Sequence, residues 1–273
     1  FISNSSQSRK RIKPKHMTKL SANLSLLFTE NEFIDRFKEA KNNGFDAVEF
    51  QFPYDIEAQT IKNEIDKNKL ILTIFNSPPG DFENGDRGLA CLEKRKDDFK
   101  KSIIEAISYA KIFQCNKIHV MSGVSDKENV LNAKKVYIEN LKWACDQFDK
   151  HNIDLLIEPI NQRNIPNYFL SSTDQAIEII DKIERDNIYL LFDIYHHQII
   201  RGDVSKYFEK FQAYIGHIQI AGIPNRNEPD QSELDYKYVF KLIERLNYTG
   251  FIGCEYNPLK DTVSGLKWRE SLL

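Results

Sequence analysis

Four oxygen-bearing side chains punctuate the second half of this chain: Glu158, Asp193, Gln219 and Glu255, separated by 35, 26 and 36 residues. Each closes a short β-prone run. Leu155-Leu156-Ile157 stops at Glu158, Leu190-Leu191-Phe192 at Asp193, His217-Ile218 at Gln219 and Ile252-Gly253-Cys254 at Glu255. Taken singly, an acid in such a place caps a helix or meets a surface lysine. Four of them, about one strand-plus-helix unit apart, argue for a shared rim, because barrel enzymes place their chemistry where strands finish. Three carboxylates and an amide oxygen suit a hard divalent cation, Mg²⁺ or Mn²⁺. Carboxylates gathered without a cation would repel one another, so the set itself argues for a metal.

The elements that would carry these residues alternate along the chain. Strands are expected at Leu20–Leu24, Ala47–Phe50, Leu70–Phe75, Lys117–Val120, Asp154–Ile157, Tyr189–Phe192, Ile215–Ile220 and Phe251–Cys254. Between them apolar residues recur at helical spacing, as in Phe33, Phe37 and Ala40, or Phe99, Ile103, Ile104, Ile107 and Ala110. Thr173 ahead of Ala176, Ile177, Ile179 and Ile180 reads as the start of a capped helix. Eight such units of about 30 residues match the size of a βα repeat. The expected fold is therefore α/β, a single (β/α)8 TIM barrel. An open doubly wound sheet is the alternative, but the first strand leads into Leu24-Ser25-Leu26-Leu27-Phe28, which holds no glycine for a phosphate-binding turn.

Residues 17–273 are expected to form one domain, since no linker composition interrupts them. Residues 1–16 differ: they carry Arg9, Lys10, Arg11, Lys13 and Lys15 and no acid, and they precede a Met at position 17. They read as an added leader with Met17 as the native start. A chain that is 41% hydrophobic and 29% charged, with a net charge of −2, has a core but no electrostatic footprint for nucleic acid. No apolar run approaches the roughly 18 residues of a membrane span. Cys91, Cys115, Cys145 and Cys254 form no CxxC pair, which favours reduced thiols and a cytoplasmic location. The expected partner is a small molecule, and self-association into a homo-oligomer is left open.

Several stretches then resemble the hydroxypyruvate isomerase family. They are Ser21-Ala22-Asn23-Leu24-Ser25, Val48-Glu49-Phe50-Gln51-Phe52-Pro53-Tyr54 and Asn76 to Asp81, followed by Ile157-Glu158-Pro159-Ile160-Asn161, Phe192-Asp193-Ile194-Tyr195-His196, His217-Ile218-Gln219-Ile220-Ala221 and Gly253-Cys254-Glu255-Tyr256. The resemblance runs from about Lys19 to Trp268 and implies a xylose isomerase-like barrel that interconverts hydroxypyruvate and tartronate semialdehyde. It implies Glu158 and Glu255 as the acid/base pair, the same four rim residues as metal ligands, and His196 and Arg226 as contacts to a sugar-acid substrate. Three positions depart from the family pattern: Phe75 stands where a His is usual, Gly222 where an Asp is usual, and Asp230-Gln231-Ser232 replaces a Gly-Thr-Gly segment. All three are expected near the pocket mouth, where they would bear on the substrate.

The chemistry so implied is proton transfer between neighbouring carbons through an enediolate, with two glutamates exchanging protons with carbon and a cation bearing the developing charge. A guanidinium at Arg226 could grip a carboxylate at two points. Glu49, His119 and His217 are further strand residues of weaker standing. Lys117 lies at the start of its strand, away from that rim. The competing readings are an isomerase or epimerase for a 2-oxo-tetronate or another small ketose, a nuclease on the same fold, which would need a histidine-rich zinc cluster, and a sugar-binding barrel without catalysis.

Overall fold

The computed structural model describes residues 18–273; the leader expected over residues 1–16 lies outside them, as does Met17. Strands β1 (Lys19–Asn23), β2 (Ala47–Phe50), β3 (Ile71–Asn76), β4 (Lys117–His119), β5 (Asp154–Ile157), β6 (Ile188–Asp193), β7 (Ile215–Ile220) and β8 (Phe251–Cys254) pair in chain order. All the pairings are parallel, and β8 returns to β1 through Lys19–Phe251 and Ala22–Cys254, which closes the sheet. The expected single (β/α)8 barrel is thus the observed fold. Every expected strand is present, with ends shifted by a residue at β1, β3, β4 and β6.

Helices α1 (Phe33–Asn42), α2 (Ala58–Lys67), α3 (Lys96–Phe113), α4 (Val130–Asp149), α5 (Thr173–Ile183), α6 (Ile194–Ile200), α7 (Val204–Phe211) and α8 (Tyr236–Arg245) fill the crossovers, and two short helices, α9 (Thr262–Gly265) and α10 (Trp268–Leu272), end the chain. The buried face of α3 is Phe99, Ile103, Ala106, Ile107, Ala110 and Phe113, so the helical spacing in the sequence marks the face turned to the sheet, except that Ile104, expected in the stripe, is exposed. Phe113 meets the rings of Phe50 and Phe75 edge-on, at 5.7 and 5.3 Å. Removing one such ring, as in Phe50→Ala, would cost about 3–5 kcal/mol. The cap of α5 corrects the expectation at Thr173. Ser172, in extended conformation, accepts the Gln175 N–H, whereas Thr173 is the first helical residue and its hydroxyl meets His197 Nδ1 at 2.8 Å.

Inside the barrel the strands present two kinds of surface. Ile74, Leu156 and Leu191 make a small apolar cluster of their own, flanked by Tyr189. Ser21, Glu49, Thr73 and His217 are buried polar residues that bond to one another across strands β1, β2, β3 and β7. Side chains alternate along a strand. Leu156 therefore shares a face with Glu158, Leu191 with Asp193, and His217 with Gln219, and the interior leads upward into the rim. At the opposite end Lys117 donates to the Gly216 carbonyl at 2.6 Å, as its place at the start of β4 requires.

Candidate active site

The βα end of the barrel opens into a cavity of about 300 Å³ whose lining includes Glu158, Glu255, His119, His196 and Arg226. Asp193 and Gln219 are packed beside it at 3% and 5% exposure, on neighbouring strands where their Cα atoms are register partners. Phe52, Phe82, Met121 and Ile160 supply apolar wall. The residues singled out in the sequence therefore gather at one rim.

Their surroundings differ. Glu158 is almost fully buried, with His196 Nε2 3.7 Å from one oxygen and His119 Nδ1 3.6 Å from the other, both beyond hydrogen-bonding range. Burial, then the charges of Glu255 and Asp193, push its carboxyl well above the usual range. Asp193 uses one oxygen as the cap of α6, accepting the N–H groups of Tyr195 and His196 at 2.7 and 3.2 Å. Burial raises it to about 7, against the pull of Arg226. Glu255 is also raised by burial, but its oxygens accept from Gln51 Nε2 at 3.0 Å, Asn23 Nδ2 at 3.3 Å and Arg226 at 2.7 Å. Burial holds His119 down at about 3 and His196 well below its ordinary value, so both rings are neutral near pH 7.

A neutral ring carries one proton, and here its place can be traced. The Asn161 side-chain oxygen accepts the backbone N–H groups of Arg163 and Asn164, so its amide nitrogen is the end turned to His196 Nδ1, 2.6 Å away. Nδ1 is then an acceptor and Nε2 holds the hydrogen. Glu158, Asp193 and His196 each bring a ligand-type atom within 4.8 Å of the others. Yet the Nε2–H makes His196 a donor in that group rather than a ligand. Among the described residues, the buried side-chain atoms that lack a partner include three oxygens at this rim: Glu158 Oε1, Asp193 Oδ2 and Gln219 Oε1. Two carboxylates and an amide oxygen with unused lone pairs fit a hard divalent cation. Glu255, in contrast, has both oxygens engaged by donors.

Four contributors were not evident from sequence. Gln51 and Asn23 hold Glu255, Asn161 sets the ring of His196, and Arg87 lines the cavity as a second cation. Arg87 lies 3.9 Å over the Phe82 ring and donates to the Phe82 and Asp86 carbonyls. Of these, Asn161 stood in the Glu-Pro-Ile-Asn motif and Gln51 and Asn23 in motifs near the chain start, whereas nothing in the order of residues marks Arg87.

A model of the xylose isomerase-like TIM barrel family matches residues 37–272. The 2-oxo-tetronate isomerase of Cupriavidus necator is 42% identical over 94% of this chain and 99% of its own length. The hydroxypyruvate isomerase of Escherichia coli is 39% identical over 93% of this chain and 99% of its own. The chain belongs to the hydroxypyruvate isomerase family. It is an isomerase. Among solved structures, one titled AP endonuclease, family 2 from Brucella melitensis aligns over 93% of this chain and 99% of its own, with a TM-score of 0.91 and 39% identity.

The departures from the family pattern fall in different places. Phe75 is fully buried against Phe50 and Phe113, in the layer between sheet and helices, while its neighbour Asn76 lines the cavity. The expectation that Phe75 stands at the pocket mouth is therefore corrected, because strand alternation turns it to the outer face. Gly222 lies in a tight antiparallel bridge with Asn227, where a Cβ would come within 2.4 Å of the Glu228 carbonyl oxygen.

Proposed function

We propose that this isomerase shifts a carbonyl between adjacent carbons of a small 2-oxo acid, converting hydroxypyruvate and 2-hydroxy-3-oxopropanoate into one another. The observation that carries the reading is the pair of buried glutamates, Glu158 and Glu255, lining one cavity in unlike hydrogen-bonding surroundings. Glu255, surrounded by donors, is the carboxylate that takes a proton from carbon. Glu158, giving one oxygen to the cation, carries on the other the proton that is returned to the adjacent carbon. In the reverse direction the two exchange roles.

Glu158, Asp193 and Gln219 offer free oxygens to a divalent cation, Mg²⁺ or Mn²⁺, and Glu255 would complete the set by exchanging one of its donors for the ion. Such an ion, when bound, would stabilise the negative charge that develops on the substrate oxygens. His196 offers its Nε2–H to a substrate oxygen. Arg226 donates to the Glu255 carboxylate through Nη2 and to the Glu255 backbone carbonyl through Nε, and its Nη1 is left for the substrate carboxylate, while Arg87 adds a second positive charge for an acid. Proton transfer rather than hydride shift is supported by the cavity lining, which among the described residues holds no lysine, Lys117 being at the other end of the barrel.

The names of the relatives favour one second reading, a four-carbon 2-oxo-tetronate as substrate. Rates on hydroxypyruvate, 2-oxo-tetronates and neutral small ketoses, measured after chelation and again with Mn²⁺, test both readings. Full activity after exhaustive chelation with no metal detected by elemental analysis would overturn the cation, and turnover of neutral ketoses alone would overturn the acid. The four cysteines are buried and free, which supports a reducing, cytoplasmic setting. No described helix is long and apolar enough to cross a membrane.

A further inference from the structure

Beneath the rim lies a buried carboxylate that takes no part in the chemistry proposed above. Glu49, on β2, is fully buried. His217 Nε2 lies 2.8 Å from one of its oxygens; the other accepts from Gln219 Nε2 at 2.8 Å and from Asn23 Nδ2 at 3.1 Å. With Thr73 of β3 donating to the same oxygen that faces His217, at 3.4 Å, three strands, β1, β3 and β7, converge on it. The fourth neighbour, Gly253 on β8, leaves the room it needs, since a Cβ there would stand 2.4 Å from both carboxylate oxygens.

The direction of these hydrogen bonds is set from the backbone. The Ser25 N–H donates to Asn23 Oδ1 at 3.1 Å, and a backbone N–H cannot reverse its role. Asn23 must therefore turn its NH₂ toward Glu49, and also toward Glu255 Oε1. The Glu49 oxygen that receives it is an acceptor, so Gln219 also presents its NH₂ there. The amide oxygen of Gln219 is left on the other side, buried and without a donor. An amide lacking such a partner can rotate by half a turn and present hydrogens, which repel a cation.

We infer that Glu49 is a positioning residue that locks the Gln219 amide with its oxygen toward the cation site. The inference rests on the proposal that Gln219 is a ligand, and it adds what makes a neutral amide serve as one.

The test is Mn²⁺ binding by the whole protein, followed by the electron paramagnetic resonance signal of the free ion and independent of turnover. Glu49→Gln is expected to weaken Mn²⁺ binding by about 10–100-fold, the usual effect of losing an outer-shell partner. The exchange Glu49→Gln with Gln219→Glu keeps the hydrogen bond and the total charge but reverses donor and acceptor, and a carboxylate has an oxygen on each side. It should restore binding to within about threefold of the parent, a coupling that independent sites would not show. Circular dichroism establishes which variants fold, and the double variant decides the matter if Glu49→Gln alone does not. Binding by folded Glu49→Gln equal to the parent, or a folded double variant no tighter than Glu49→Gln, would overturn the inference while leaving the metal reading intact. No Mn²⁺ binding by the parent protein would remove the metal reading and this inference together.

Discussion

Glu158 and Glu255 occupy equivalent places in the fold, each one residue past the end of its strand, yet the two sides of the rim treat them oppositely. On the β5–β6 side Glu158 sits among apolar walls and neutral histidines, with Glu158 Oε1 and Asp193 Oδ2 buried and unpaired. On the β8–β1–β2 side Glu255 is gripped by Arg226, Gln51 and Asn23. Burial raises both carboxyls and the charge of Arg226 opposes it at both, but Glu255 also accepts hydrogen bonds that favour its charged form. Identical side chains at equivalent strand ends thus acquire unlike surroundings from what the neighbouring strands bring, the difference on which the proposed acid and base roles rest.

The most severe way to break this comparison is to remove the proton-carrying group on either side. Glu158→Gln and Glu255→Gln should each lower kcat by about 10²–10⁴-fold in steady-state assays. A large loss from one and none from the other would reduce the pair to a single catalytic group. In D₂O the unaltered enzyme should place deuterium on the product carbon, detectable by mass spectrometry; complete retention of protium would favour a hydride shift.

Smaller effects are expected from the ligand set. Asp193→Asn should weaken Mn²⁺ retention by about 10–100-fold, more than Gln219→Glu, because the second change keeps an oxygen ligand and adds charge. Titration of Mn²⁺ into metal-free protein measures both. Losses of equal size would mean that the amide of Gln219 contributes as much as the carboxylate.

The same carboxylate carries a pH dependence. Burial raises Asp193 to about 7, so in metal-free protein it is protonated below that pH and must release the proton to bind a cation. Mn²⁺ affinity should therefore rise with pH up to and through 7, by about tenfold per pH unit for each proton that Asp193 and the likewise raised Glu158 must release. Calorimetry in buffers of different ionisation enthalpy would detect the released proton, and affinity independent of pH from 5 to 7 would remove Asp193 from the ligand set.

The mildest test sharpens the Glu255 side. Arg226 lowers the pKa of Glu255, so Arg226→Ala should raise it and move the acidic limb of the kcat/KM profile to higher pH. KM for acid substrates should rise more than kcat falls, since the carboxylate is held in the ground state as well as the transition state. Equal impairment on neutral ketoses would assign Arg226 to shaping the loop.

The alternation of strand and helix, the eightfold repeat and the four rim residues could all be read from the order of residues alone. They are local patterns: a strand's two-residue period and a helix's 3.6-residue period fix which side chains share a face. Two positions mark where that reading stops. At Phe75 the family pattern suggested the pocket, but the parity of β3 decided for the outer layer. At Ser172 and Thr173 either residue could have capped α5, and the extended conformation of Ser172 selected it.

What the chain order determined is therefore the barrel and the gathering of four oxygen-bearing side chains at its rim. Only the closed sheet decided the electrostatics. It brought Arg226 onto Glu255 from the loop after β7, carried Asn23 and Gln51 across from the first two strands, and set Asn161 against His196, 35 residues further along the chain. Such contacts join residues up to 232 positions apart. No local period records them, because the donors that hold a carboxylate charged, or point an amide oxygen outward, are chosen by barrel closure rather than by neighbours in sequence.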